Sequence, residues 1–285
     1  MIEEKTEVNL LNDAMFKALF RSKEARGVIA TVISALLGID KKKLIYADYG
    51  SGELVKNKLF EKGKICDIII KIDSGNKIIL EMNQMWTNNI FDKNTTYSFT
   101  IINESIIRKE KKYIYPNIVL INFDAFNKFG TSKGILEFKI RDEEGHIETE
   151  IYRSIHLILE NLVNTEYNKD VRKLAKFLRT TDMETLRKDY KGDSNYMACI
   201  RRVEELSTDP DFVGYYDIEE AHRQEINDSY DTGYDSGYDE GLNKGINQRN
   251  IELAKMMLQE GIDIKTISKI AKLTEEEIKK LSSEE

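Results

Sequence analysis

The stretches Lys64-Ile-Cys-Asp67-Ile-Ile-Ile-Lys-Ile72 and Lys77-Ile-Ile-Leu-Glu81-Met-Asn83 decide how this chain folds. They flank Asp73-Ser74-Gly75-Asn76, a turn-forming segment, so together they read as a β-hairpin. Side chains alternate across a strand. Even positions give Cys66, Ile68, Ile70, Ile72, Ile78, Leu80 and Met82, an unbroken apolar face that belongs in a core. Odd positions carry Asp67, Glu81 and Asn83 among isoleucines and lysines. A three-residue loop, Ser74 to Asn76, places Asp67 opposite Asn83 and diagonal to Glu81. Two acids that close repel, which raises one pKa unless a cation lies between them. A hard divalent ion such as Mg²⁺ suits such oxygens. The plainer reading leaves both acids solvated on the open side of the hairpin. Against it stands their place mid-strand among isoleucines, where Asp and Glu are disfavoured and costly to bury.

Composition sets the frame. A chain of 285 residues, 41% hydrophobic and 33% charged, suits a globular protein of mixed class, long enough for one large domain or a domain with an appendage. Its two cysteines, Cys66 and Cys199, are far apart, so neither a disulfide framework nor a cysteine zinc site is expected, and a reducing cytoplasm is the expected location. The acidic opening Met-Ile-Glu-Glu-Lys-Thr-Glu has no apolar core, and no apolar run approaches a membrane span, so neither signal peptide nor membrane partner is expected. His146, His156 and His222 lack the spacing of metal ligands and read as satisfied core or surface histidines. The net charge of −7 is unevenly spread. Residues 1–130 hold 20 Lys and Arg against 16 Asp and Glu, a balance of +4, and the remainder 23 against 34, or −11. The first part is therefore the one that could neutralise phosphates.

Helical apolar spacing marks Asn9 to Phe20 and Lys23 to Leu37, with Asn12 or Asp13 as cap and Gly38 as stop. Leu54 to Phe60 reads as a strand, Thr87 to Glu110 as a helix, Ile118 to Phe123 as a buried strand, and Gly134 to Leu159 as further strands. From Asp170 onward the pattern is helical. Tyr230-Asp-Thr-Gly233-Tyr-Asp-Ser-Gly237-Tyr-Asp-Glu-Gly241-Leu-Asn-Lys-Gly245 is either a flexible linker or a helix with a glycine stripe for close packing. Asp263 to Ala271 and Thr274 to Leu281 form a helix pair similar to half of a helix-turn-helix, although its mixed Lys/Glu surface favours packing over DNA reading.

Asp67 followed by Glu81-Met82-Asn83 resembles the Asp…Glu-x-Gln/Lys core of the PD-(D/E)XK nuclease superfamily, and most of all its recombination-promoting nuclease and transposase (Rpn-type) branch. Asp13-Ala-Met-Phe16-Lys17-Ala-Leu-Phe20 is similar to that family's opening Asp-x-x-Phe-Lys-x-x-Phe helix. Phe91 to Tyr97, Tyr115-Pro116-Asn117-Ile-Val-Leu-Ile-Asn-Phe123, the segment Ile155 to Glu160 and the glycine-repeat tail match in order. The departures are Asn83 for the usual Gln, Asn94 where Arg is common, and Ser98 where Tyr is common.

The resemblance implies an α/β (α+β mixed-sheet) fold with a restriction-endonuclease-like core and a helical C-terminal extension. The expected division is 1–165 nuclease-like, 166–228 helical and packed on it, and 229–285 glycine-repeat helix and helix pair. It implies a Mg²⁺- or Mn²⁺-dependent DNA endonuclease linked to recombination or transposition. Asp67, Glu81 and the Met82 carbonyl would hold the metal, Asn83 would orient the attacking water, Asp13 would add an acid and Lys17 a phosphate contact. Replacing Asn83 by the family's Gln is then expected to maintain or raise cleavage. A second reading is a nuclease-like fold with impaired catalysis that serves as a DNA-binding or protein-interaction module. If the glycine stripe packs helix on helix, the expected partner is a second copy, giving a homodimer.

Overall fold

A computed structural model describes residues 7–53, 65–72, 75–109, 112–164, 166, 168–214, 241–242 and 244–283. Residues 1–219 and 220–285 form two compact units. The first is built on a six-stranded mixed sheet of β1 (Asp48–Glu53), β2 (Ile65–Lys71), β3 (Lys77–Asn83), β6 (Ile118–Asp124), β7 (Ile135–Lys139) and β8 (Tyr152–Ile158). Their order is β1-β2-β3-β6-β8-β7. The hairpin β2–β3 is antiparallel, whereas β3, β6 and β8 run parallel. A separate two-stranded ribbon, β4 (Ile107–Lys109) with β5 (Lys112–Ile114), occupies part of the segment expected to be helical. The expected strand at Leu54 to Phe60 lies outside the described residues, and β1, just before it, is the partner of β2.

The even-parity face does belong to the main core. Ile68, Ile70, Ile78 and Leu80 are buried there with Val119, Ile121 and Phe123 of β6 and Ile155 and Leu157 of β8. The Cys66 side chain lies outside the described residues. Helices α1 (Asp13–Phe20) and α2 (Arg26–Leu37) add Phe16, Phe20, Ile29 and Ile33 to this core. α1 starts where Asn12 Oδ1 accepts from Met15 N at 3.0 Å, and α2 stops at Gly38, whose φ of 69° suits a residue without Cβ. After the short α3 (Lys41–Ile45), the helices α5 (Leu159–Asn164), α6 (Lys169–Arg179), α7 (Met183–Asp189) and α8 (Ser194–Thr208) pack into the same core through Leu162, Leu174, Phe177, Leu186 and Ile200.

The odd-parity face is not open to solvent. Helix α4 (Ile90–Glu104) covers it, and Ile69, Ile79, Ile101, Ile102, Ile118, Leu120 and Tyr152 make a second core there. The reason is topological: a parallel connection from β3 to β6 needs a crossover, and its helix α4 covers the sheet face opposite the main core. Asp67, Glu81 and Asn83 are therefore interior groups, 4%, 3% and 2% exposed.

In the second unit, residues 244–259 are helical, followed by α9 (Ile264–Ala271) and α10 (Glu275–Ser283) around a small core of Ala254, Ile267, Ala271 and Ile278. Thr274 and Glu277 form a reciprocal capping box at the start of α10. Gly233 and Gly237 of the stripe lie outside the described residues. Gly241 and Gly245 are exposed, and a Cβ at either meets nothing within 4 Å. Among the described residues no helix is long and apolar enough to cross a membrane.

Candidate active site

The hairpin pairs Ile68 with Leu80 and Lys71 with Lys77. Continuing that register sets Asp67 across from Glu81, not Asn83 as the sequence suggested. The loop closes one residue earlier, with Ile72 N donating to Asn76 O at 2.8 Å. That shift moves every cross-strand partner by two and so keeps parity, which is why the same three side chains still share a face.

The two acids replace ladder bonds with side-chain bonds. Asp67 N donates to Glu81 Oε1 at 3.2 Å, and Met82 N donates to Asp67 Oδ2 at 2.7 Å. The Asp67 carbonyl accepts from the Arg21 guanidinium at 2.7 and 3.1 Å. From α1, Lys17 Nζ lies 3.2 Å from Asp67 Oδ1 and also pairs with Asp13. The structure brings Asp13, Lys17, Asp67 and Glu81 together. Arg21, one turn beyond Lys17, is an addition that its spacing in α1 could have signalled.

Burial and the nearby Asp13 charge push the Asp67 carboxyl up to about 7, against the pull of Lys17. Burial and the Asp67 charge raise Glu81 well above the usual carboxylate range, with Lys93 of α4 and Lys17 opposing. Burial would lower the Lys17 ammonium, but Asp67 and Asp13 outweigh it and hold it protonated. The Lys17 ammonium is thus at ion-pair distance from Asp67 and from the partly exposed Asp13, and the second buried carboxylate, Glu81, has no cation at that distance among the described residues. This is a site short of positive charge, and its oxygen donors fit a hard divalent cation. No three His, Cys, Asp or Glu side chains converge as ligands among the described residues, so such an ion would need main-chain or water oxygens as well. Mg²⁺ commonly binds in that way, with one or two carboxylates.

A carboxyl raised in the folded state binds protons there that it loses on unfolding, so between about pH 4 and 7 stability falls as pH rises. Without metal, melting of the wild type relative to Asp67→Asn should lose on the order of 2 kcal/mol, roughly 4–8 °C, from pH 5 to pH 8. Added Mg²⁺ or Mn²⁺ should restore most of this at pH 8 and little at pH 5. A pH-independent difference between the two proteins would mean that Asp67 is not a strained carboxyl.

Asn83 belongs to a different assembly. Its Nδ2 donates to Asn122 Oδ1 at 3.1 Å and to Asp124 Oδ1 at 2.7 Å, while its Oδ1 accepts from Asn94 Nδ2 at 3.0 Å. Asn94 also donates to Asn122 Oδ1, and Asp124 Oδ2 accepts from His156 Nδ1 at 2.7 Å. Asn122 Nδ2 lies 3.4 Å from His156 Nε2. Asn122 Oδ1 already accepts twice, so its amide is the donor here, and His156 is the Nδ1–H tautomer. All five residues are at most 4% exposed. Asn94 Oδ1 is buried with no hydrogen-bond partner. The network ties β3, β6, β8 and α4 together, so the departures Asn83 and Asn94 occur as a bonded pair. Asn122 and Asp124 were missed by sequence reasoning, although they share one parity at the end of an apolar strand, and His156 is the satisfied core histidine that the sequence allowed.

The expectation for Asn83→Gln changes accordingly. Both amide protons of Asn83 are committed, and a longer side chain at a 2% exposed position overpacks. The replacement should destabilise the fold by about 1–3 kcal/mol and should not raise cleavage. Urea unfolding and a nicking assay on the same preparation check both parts.

A six-stranded mixed sheet in which an antiparallel hairpin feeds parallel strands, with helices on both faces, is the arrangement of a PD-(D/E)XK core. Residues 10–228 match the PD-(D/E)XK nuclease family transposase, and residues 247–283 match the Rpn/YhgA-like nuclease family, C-terminal HTH domain. The chain belongs to this Rpn-type PD-(D/E)XK nuclease family. Searches of curated proteins and of solved structures found no match. The match at 247–283 corrects the sequence preference for a mere packing pair: α9 and α10 belong to a helix-turn-helix domain.

Proposed function

We propose that this protein is a divalent-metal-dependent DNA endonuclease acting at the Asp67–Glu81 pair. The observation that carries the reading is two interior carboxylates across one hairpin with a single ammonium between them and α1. Asp67, Glu81 and the Met82 carbonyl would hold Mg²⁺ or Mn²⁺, which supplies charge for the scissile phosphate and acidifies its water. Lys17 opposes the protonation that burial favours at Asp67 and fixes its orientation, and Asp13 holds Lys17 in place. Lys93, exposed on α4 with its charge felt at Glu81, is placed to meet a phosphate oxygen. The helix-turn-helix domain would supply duplex affinity, with phosphate contacts that weaken as salt rises. Recombination or transposition is the process in which such cleavage would serve.

Asn83 favours a second reading, a nuclease-like DNA-binding module with impaired chemistry, because both of its amide protons are engaged within the protein. The homodimer through the glycine stripe draws no support from Gly241 and Gly245, which stand bare. Plasmid nicking with titrated Mg²⁺ and Mn²⁺, alongside a duplex-binding measurement, separates the two readings. Metal-dependent nicking supports the enzyme. Binding without nicking at any metal concentration supports the module.

A further inference from the structure

Beyond the acid pair, the C-terminal ends of β3 and β6 lead into a group of aromatic rings outside all three apolar cores. Trp86 follows Asn83 by three residues, Phe126 follows Asp124 by two, and Phe91 lies in the first turn of α4. Trp86 meets Phe91 and Phe126 edge-on at 5.4 and 5.7 Å, and Phe91 stacks on Phe129 at 5.5 Å with only 6° between planes. Phe129 in turn contacts Phe138 at 5.3 Å. Beneath them His156 is clasped edge-on by Phe91, Phe129 and Phe138. Phe129 and Phe138 are 38% and 43% exposed, and the other three rings are half-buried.

Rings this large usually close into a core. Here they form a partly open terrace beside the candidate site, held by an ordered loop. Asn127 Nδ2 donates to Thr131 O at 2.8 Å, and Asn161 Nδ2 donates to Lys133 O at 3.0 Å. Lys128 Nζ sits 4.0 Å above the Trp86 ring, a cation resting on a π face. Lys93 lies two residues beyond Phe91 on the same helix. Flat aromatic faces with lysines at their rim complement one chemistry well: unstacked bases joined by phosphates. An intact duplex offers its base faces to nothing, so a stacking terrace selects unpaired strand.

We propose that Trp86, Phe91, Phe126, Phe129 and Phe138 form a stacking platform for single-stranded DNA entering or leaving the Asp67–Glu81 site. The proposal rests on the nuclease reading for its purpose but not for its test. On binding, Lys128 leaves the Trp86 face to a base and turns to the adjoining phosphate. The substrate would then be DNA with an unpaired segment, such as a flap, a gap or a melted junction.

Trp86 is the chain's single tryptophan and reports on this surface alone. The full-length protein in EDTA, where no cleavage confuses the signal, is titrated with single-stranded oligothymidylate and with a blunt duplex of the same length. The expected result is saturable quenching of Trp86 by the single strand and little change with duplex, which the helix-turn-helix domain binds elsewhere. Phe129→Ala should weaken single-strand binding roughly 5- to 100-fold while leaving duplex binding and the melting curve near wild type. Lys128→Gln, at an exposed position, should lower the slope of log affinity against log salt by about 0.7 for the single strand. Equal quenching by duplex, no quenching by single strand, or wild-type affinity in Phe129→Ala would each overturn the platform. Loss of plasmid nicking with the Trp86 response intact sinks the nuclease reading alone, whereas nicking without that response sinks the platform alone.

Discussion

Asp67→Asn should reduce metal-dependent DNA cleavage by on the order of 10³-fold, the several kcal/mol that metal-borne charge supplies to a phosphoryl transition state. The substitution is nearly isosteric. Asn Oδ1 can still accept the bond from Met82 N, so the hairpin register should survive. What is lost is the charge opposite Lys17 and beside Glu81. Because Asp67 is a carboxyl held ionised against burial, its removal should leave the metal-free protein as stable as wild type or more so at pH 8. DNA binding should stay within a few-fold of wild type, since phosphate contacts lie on other side chains. The combination is diagnostic: cleavage gone, fold firm, binding kept. Undiminished nicking by the mutant would place the chemistry elsewhere, and a fall in stability would make Asp67 a structural acid instead.

The largest loss of stability should come from Asp124→Ala. Asp124 is 1% exposed and accepts from Asn83 Nδ2 and His156 Nδ1. Removing it leaves two buried donors unsatisfied where water has little access, each costing about 1–3 kcal/mol, together about 2–6 kcal/mol. At the size of this unit that is a fall of roughly 4–24 °C in melting temperature. Glu137→Ala is the control, because its pairing with Arg153 is at the surface and should contribute less than about 1 kcal/mol. Equal effects from the two substitutions would show that the Asn83–Asp124–His156 network does not hold the parallel strands together.

These two residues also mark what the sequence disclosed. Asp67 and Glu81 were legible because a strand has period two and both acids interrupt the same isoleucine-rich alternation. Lys17 and Asp13 were legible only through the likeness of the first helix to a known family, since on spacing alone they read as solvated. The pairing of Asp124 with His156 was not legible. Each sits in a different strand, and nothing local says that β6 and β8 will run parallel beside β3. Lys93 was hidden for a similar reason, because its proximity to Glu81 depends on how α4 crosses the sheet.

The sequence by itself determined the alternation of the hairpin, the ends of the first two helices at Asn12 and Gly38, and the shared face on which the acids lie. Those features follow from local sterics and the pleat, which operate within a few residues. The tertiary structure alone decided that the acids' face would be buried under α4, that Asp67 would stand across from Glu81, and that Asn83 would be bound into a network. Each of these depends on a loop closing one residue earlier or on strands far apart in sequence coming side by side. Such choices are made by the packing of the whole sheet, where burying Ile69 and Ile79 beneath α4 takes the neighbouring carboxylates out of water as well.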